Sequence, residues 1–237
     1  MKSYRRILLK LSGESLGGEK GFGFDSISID LIVDQILKIK NLGIEIAIVI
    51  GGGNFFRGAK NSSFSIDRVA ADKIGMLATV MNGLYLKELL KSKGISADLM
   101  SGLSVPEVSN DFSKEIALEK LRNGEILIFG GGTGNPFFST DTASALRALE
   151  IEADIVIKGT KVDGVYDSDP MLNKSAKMYD HLTYSSVLEK KLLVMDAAAI
   201  ALCRENRMPI SVINITKSGA LLSFLQGKSV GTLVEEK

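Results

Sequence analysis

Two apolar runs in this chain each end directly in a glycine-rich loop. The first, Ile44-Glu45-Ile46-Ala47-Ile48-Val49-Ile50, runs into Gly51-Gly52-Gly53-Asn54. The second, Glu125-Ile126-Leu127-Ile128-Phe129, runs into Gly130-Gly131-Gly132-Thr133-Gly134-Asn135. Short apolar runs rich in β-branched residues read as buried strands. Glycine has no Cβ, so the backbone behind each strand can turn sharply and bring N–H groups up to an anion. A strand that passes through such a loop toward a helix is a common phosphate cradle. Two cradles in one domain suggest two phosphate-bearing groups, and hence phosphoryl transfer.

The rest of the chain repeats this alternation. Arg6 to Leu11 reads as a first strand. Ile27 to Asn41 carries apolar residues at Ile29, Ile32, Val33, Ile36 and Ile39, which fits an amphipathic helix closed by Gly43. Ile66, Val69, Ala70, Ile74, Leu77, Met81 and Leu84 mark one face of a long helix reaching about Lys93, closed by Gly94. Asp72, Arg68, Thr79 and Asn82 share a polar side of that helix, expected to be solvated, and Gly75 and Gly83 would permit close packing. A short strand over 97–100, a helix over 113–123, the strand ending at Phe129, a helix over 139–150 and a strand over 154–158 follow. That order predicts an α/β fold with a mainly parallel sheet sandwiched between helices. Beyond Lys158 come a turn-rich stretch to about 180 and helices around 184–190 and 196–206. A strand over 209–215, a helix over 219–225 and a short strand over 232–234 complete the chain.

Bulk properties narrow the function. At 237 residues the chain makes one large domain or two small ones and can bury a core without staples. Its 29 basic and 28 acidic residues leave a net charge of +1, which disfavours nucleic acid as a partner. Cys203 is alone and fits a reducing cytoplasm. His181 is the single histidine, which removes His-rich metal sites and makes a histidine triad improbable. Neither a signal peptide nor a membrane-length apolar run is present, so a cytosolic chain without a membrane partner is expected.

Several segments could carry chemistry. Lys10-Leu11-Ser12-Gly13 ends the first strand, at the edge where ligands bind in open α/β sheets. Arg57 follows the first glycine loop, and arginine suits bidentate phosphate binding. Thr133 to Asp141 is dense in hydroxyls, an amide and two phenylalanines, and leads into a helix start; capping and ligand binding can share that terminus. Lys158 to Pro170 holds two lysines, a turn and an aromatic, and reads as a nucleotide-binding stretch or as a charged hairpin. Gly227-Lys228-Ser229 ends like a P-loop, but Leu222 stands where the first glycine must be. A G-x-G-x-x-G dinucleotide fingerprint is also missing.

With these residues in place, the chain resembles the bacterial-type UMP kinases of the amino acid kinase family. The resemblance is carried by Lys10-Leu11-Ser12-Gly13-Glu14, Gly21-Phe22-Gly23, Gly51 to Gly58, Gly75 to Gly83, Thr133 to Asp141, Thr160 to Tyr166 and Val194-Met195-Asp196, in order along nearly the whole chain. It implies transfer of the γ-phosphoryl of MgATP to UMP. Carried onto this sequence, Lys10, Leu11, Ser12, Gly13, Gly53 and Arg57 would meet the ATP phosphates, with Thr160, Tyr166 and Asp169 around the adenine and ribose. Gly52, Asp72 and the run Thr133, Gly134, Asn135, Pro136, Phe137, Phe138, Ser139 and Thr140 would hold UMP. Lys10, Arg57 and Asp141 would be catalytic, and Asp141 and Asp196 would position lysines or Mg²⁺ carried by ATP. The resemblance further implies a homohexamer activated by GTP and inhibited by UTP, with Gly21, Phe22, Gly23, Phe24 and Asp25 linked to the GTP response; read as residues alone, that stretch is equally a plain β-hairpin. An acceptor-binding lobe over about 1–150 and an ATP-binding lobe over about 151–237 would form the single domain. Gly130 and Gly131 stand where an alanine-containing pair is expected, and Ser139 where threonine is. A carboxylate kinase of the same fold and a non-catalytic nucleotide sensor are the alternatives; retention of Lys10 and Arg57 speaks against the sensor.

Overall fold

The computed structural model describes residues 4–57 and 66–236. Nine strands form one sheet in the order β4-β3-β5-β2-β1-β6-β10-β11-β9. The central strands are β1 (Arg6–Leu11), β2 (Glu45–Ile50), β5 (Ile126–Gly130), β6 (Ile155–Thr160) and β10 (Ile210–Asn214). β3 (Ala97–Ser101) and the two-residue β4 (Asn110–Asp111) extend one edge; β9 (His181–Leu182) and β11 (Thr232–Val234) extend the other. All described pairings in this sheet are parallel except β10 with β11. The sequence expectation of a mainly parallel sheet holds, because its strands are apolar on both faces and must be covered twice.

Alternate residues feed two cores. Leu8, Ala47, Val49, Leu127, Phe129 and Val156 face one cluster, which reaches α4 (Lys114–Arg122), α5 (Thr140–Glu150), α6 (Tyr184–Glu189) and α7 (Ala197–Glu205). Ile7, Leu9, Ile46, Ile48, Ile128 and Ile157 face the other, with α2 (Ser26–Lys40), α3 (Arg68–Ser92) and α8 (Ala220–Leu225). The period-2 alternation of β-strands makes this division. Buried Arg6 is the polar exception in β1. Its guanidinium pairs with Glu45 and donates to the carbonyl of Ile151, which anchors the end of α5 to the sheet.

Three local readings change. The stripe Val69, Ile74, Leu77 and Met81 of α3 was expected to face the core, yet it is exposed, Met81 to 52%. The inner side holds Ala71, Met76, Thr79, Val80, Asn82, Gly83 and Leu86, so Thr79 and Asn82 of the polar side face the protein, while Arg68 stays exposed. Gly83 is close-packed, but within the chain: a Cβ there would lie 2.6 Å from Leu99 Cδ1. The Gly21–Asp25 stretch is not a hairpin but a turn between the short α1 (Gly13–Leu16) and α2, where Asp25 caps α2 by accepting from the Ser28 N–H at 2.9 Å. The turn-rich stretch after β6 contains a two-stranded antiparallel pair, β7 (Val165–Tyr166) with β8 (Met178–Tyr179).

Candidate functional site

The carboxyl ends of β1, β2, β5 and β6 meet at one edge of the sheet, and the candidate residues gather there. Register puts Lys10 of β1 beside Lys158 of β6, and Leu11 beside Ile50 of β2. Gly51 at the end of β2 donates its N–H to the Leu11 carbonyl at 2.9 Å, so the loops after β1 and β2 are tied together. A Cβ on Gly13 would lie 2.6 Å from the Gly51 carbonyl oxygen and 2.8 Å from the Gly53 nitrogen, so only glycine permits this approach. Among the described residues no protein acceptor takes up the Gly52 or Gly53 N–H, which leaves both for an anion.

Lys10, Asp141 and Lys158 form a buried charged cluster under these loops. Lys10 Nζ lies 2.9 Å from Asp141 Oδ1 as an ion pair, and Lys158 Nζ donates to Asp141 Oδ2 at 2.9 Å. Lys158 also donates to the Val194 carbonyl at 2.5 Å. Burial pushes the Asp141 carboxyl upward, but Lys10 and then Lys158 outweigh it and hold the group below the usual carboxylate range. Burial pulls the Lys158 ammonium below its ordinary value; Asp141 resists this and Lys10 adds to it. A carboxylate fixed between two ammonium groups is poorly placed to be a base. It is well placed to aim both cations at a neighbouring anion.

A cleft of about 650 Å³ opens above the loops, a volume usual for small-molecule sites. Gly52, Gly53, Arg57, Asp72, Phe137, Phe138, Ser139, Thr140 and Asp196 line it, with Glu14 and Arg68. Arg57 is held at its mouth by Glu14 at 2.9 Å and donates to the Gly53 carbonyl at 3.1 Å. Asp72 accepts from Arg68 Nε at 2.8 Å and from the Phe137 N–H at 2.7 Å. Phe137 holds a φ of +70°, a conformation disfavoured for an aromatic residue, and both phenylalanines are exposed to the cleft instead of packed in a core.

The second glycine loop turns beneath this wall. The Gly131 N–H donates to Thr79 Oγ1 at 2.7 Å. A Cβ on Gly131, at φ +69°, would sit 2.4 Å from Ser101 Oγ, so the departure from alanine is fitted to this loop. Ser139 caps α5 by accepting from the Asp141 and Thr142 N–H groups, and its hydroxyl donates to Asp196, which in turn caps α7. Asp196 also accepts from Thr142 Oγ1 at 2.9 Å.

Not every expected residue reaches the cleft. Thr133, Gly134, Asn135 and Pro136 lie on the loop before its wall and do not line it. Thr160 ends β6 and donates to the Val162 carbonyl; Tyr166 sits in β7, and Asp169 caps the next turn by accepting from the Met171 N–H. None of the three lines the cleft, and Thr160 ends β6, across β1 from β2. Gly58 falls outside the described residues. Sequence reasoning passed over Lys158 as a partner of Lys10, although both stand near the end of an apolar strand. Glu14 and Asn82, which the sequence offers only within a motif and on a helix face, gain their contacts here: Glu14 lines the cleft and Asn82 holds the Gly51 carbonyl.

The chain matches the amino acid kinase family over residues 5–214. It is 53% identical to the uridylate kinase of Alcanivorax borkumensis, over 98% of this chain and 92% of that one. It is 49% identical to the uridylate kinase of Vibrio cholerae, over 99% and 96%. The crystal structure of UMP kinase from Bacillus anthracis superposes with a TM-score of 0.95 at 42% identity, over 99% of this chain and 97% of that one.

Proposed function

This chain belongs to the amino acid kinase family, and from that membership and the site geometry we propose that it transfers the γ-phosphoryl group of ATP to UMP, giving UDP and ADP. The observation that carries the reading is the Lys10–Asp141–Lys158 cluster, set where two anion-accepting loops meet under one cleft.

The chemistry needs little from the protein beyond alignment and charge. The second pKa of a phosphomonoester lies near 6, so UMP is largely its own nucleophile at neutral pH and no general base is required. Two anions must be brought together and the charge on the moving phosphoryl group neutralised. Lys10 and Lys158 supply that charge from a fixed, dry position, and the free N–H groups of Gly52 and Gly53 add to it. Arg57 exchanges its contact with Glu14 for a substrate phosphate. Asp72, Phe137 and Phe138, with the Thr133–Thr140 loop, receive UMP. Ser12, Gly13, Thr160, Tyr166 and Asp169 receive ATP. An acceptor lobe to about 150 and an ATP lobe from 151 is the proposed division, with β1 to β5 on one side of the β1–β6 pairing and Ser12 and Gly13 reaching the ATP from the first lobe.

Mg²⁺ enters with ATP as part of the substrate. Among the described residues no cluster of three acidic, histidine or cysteine side chains offers a cation cage. The Asp141 oxygens face two ammonium groups, and Asp196 is taken up by Ser139, Thr142 and the Ala199 N–H. Assembly into a homohexamer is supported by the exposed apolar stripe of α3, which no part of the described chain covers. GTP activation would act through the 21–25 turn, where Phe24 stacks on Tyr85 of that helix at 3.9 Å; UTP inhibition belongs to the same reading without an assigned segment. A cytoplasmic location suits the lone buried thiol of Cys203.

The test is ADP release by the purified protein with MgATP, offering UMP, CMP, dUMP, aspartate and glutamate separately. Turnover with UMP alone is expected. Turnover with an amino acid would move the chain to the carboxylate kinases. Nucleotide binding without any turnover would make it a sensor.

A further inference from the structure

Two carboxamides, Asn54 and Asn82, are buried back to back directly behind the first glycine loop, at 1% and 0% exposure. Burying two amides is costly unless their polar atoms are all used. Here both hydrogens of each amide are. Asn54 Nδ2 donates to Asn82 Oδ1 at 3.0 Å and to the Gly23 carbonyl at 2.9 Å. Asn82 Nδ2 donates to Asn54 Oδ1 at 2.7 Å and to the Gly51 carbonyl at 2.7 Å. Flipping either amide would set an oxygen against a backbone carbonyl, so the orientation is fixed.

This pair joins α3, the loops after β1 and β2, and the 21–25 turn. Asn82 belongs to the middle of α3, and through Gly51 it holds the end of β2. Asn54 closes the Gly51–Gly53 turn, and a Cβ on Gly13 would lie 2.4 Å from its Oδ1, so the loop after β1 rests on this amide. The Asn54 carbonyl accepts the Gly23 N–H at 3.1 Å, which closes a ring of bonds with the 21–25 turn. On its other side the loop is wedged against α3, where a Cβ on Gly52 would come 2.7 Å from the Gly75 carbonyl oxygen.

We infer that the Asn54–Asn82 amide pair is the positioning device of the transfer, setting the separation of the two phosphate-bearing loops. The inference rests on the proposed kinase reading. Each loop can still bind its own substrate without the pair, because the anion contacts are made by other groups. What is lost is the relative placement of donor and acceptor, where an error near 1 Å costs about 100-fold in rate. The pair acts through the loops and does not touch the reacting atoms.

The test compares Asn82→Leu, Asn54→Leu and the double variant with the wild type. The double variant removes both halves of the amide–amide pair together and strands only the Gly23 and Gly51 carbonyls, so melting read beside kcat separates fold from positioning. Thermal melting, kcat, KM for both substrates, and calorimetric binding of UMP and of a non-hydrolysable ATP analogue are measured. The expected result is a folded double variant with kcat down about 100-fold and with KM and both dissociation constants within about threefold. Unchanged kcat in a folded double variant overturns the inference. So does a loss of binding that tracks the loss of rate, which would make the pair part of a binding site. If every variant unfolds, the pair is a fold determinant only, and the inference is again overturned. A wild type inert toward UMP refutes the kinase reading instead, and is read from the same plate.

Discussion

Replacing Lys10 by methionine and Asp141 by asparagine shifts the charge of the buried cluster in opposite directions. The native cluster holds two ammonium groups and one carboxylate, with side-chain exposures of 10%, 16% and 16% for Lys10, Asp141 and Lys158. Lys10→Met keeps an unbranched stem and leaves Asp141 paired with Lys158 at 2.9 Å, a neutral remainder. Asp141→Asn leaves two ammonium groups facing one amide. At an effective dielectric near 20, each 2.9 Å contact is worth about 6 kcal/mol of Coulomb energy. Desolvation cancels most of it, and losing one partner of a buried pair costs about 3–5 kcal/mol net. In a chain of this size that lowers Tm by roughly 10 °C. Lys10→Met should stay within about 1 kcal/mol of wild type, yet lose at least about 100-fold in kcat, the scale seen when one transition-state donor is removed. Scanning calorimetry and coupled ADP release measure the two axes. The pH dependence has a definite sign. Because the folded pKa of Asp141 lies below its ordinary 3.8, its contribution is complete above about pH 4 and disappears as pH falls through the depressed value. The melting gap between wild type and Asp141→Asn should close in that acid window. Equal melting losses in the two variants, or a Lys10→Met enzyme with near-normal turnover, would refute the reasoning.

Other outcomes follow from single features. The ammonium of Lys158 is pulled below 10.5 by burial, so kcat should fall on the alkaline side with a midpoint under that value. Lys158→Arg should move the limb upward in a pH–rate profile, and a limb left in place would assign it to another group. For the proposed homohexamer, a charge on the exposed α3 stripe, as in Leu77→Glu with Met81→Glu, should give smaller species in sedimentation velocity without lowering helix content. An unchanged sedimentation coefficient would remove that face from the interface. The Cys203 thiol is buried and pushed up to about 12, so it should resist alkylation at neutral pH and react only as the chain unfolds. Rapid labelling of the native protein would contradict that.

Much of this architecture is local and therefore legible in the chain itself. Strands such as Ile44–Ile50 are continuous apolar runs, and their glycine loops begin where the apolar pattern stops. Ser139 announces a helix start because capping uses bonds only two or three residues long. The motifs along residues 10–14, 75–83 and 133–141 carry the family, since loop geometry around phosphates is written in short stretches. The direction of a helix face is different. The outer stripe of α3 is as apolar as a core stripe, and only docking against β3 and β5 turns Asn82 and Thr79 inward to bind loop backbone. Asp25 read as part of a hairpin for the same reason, because its cap on α2 depends on where the chain enters the helix. Lys10 and Lys158 stand 148 residues apart, and no local rule pairs them. The parallel register of β1 with β6 does. Periodicity along one segment therefore determined which elements form, while the partners of Lys158, Asn54 and Asn82 were decided by long-range packing, because a hydrogen bond or ion pair depends on position in space and the sequence specifies only order along the chain.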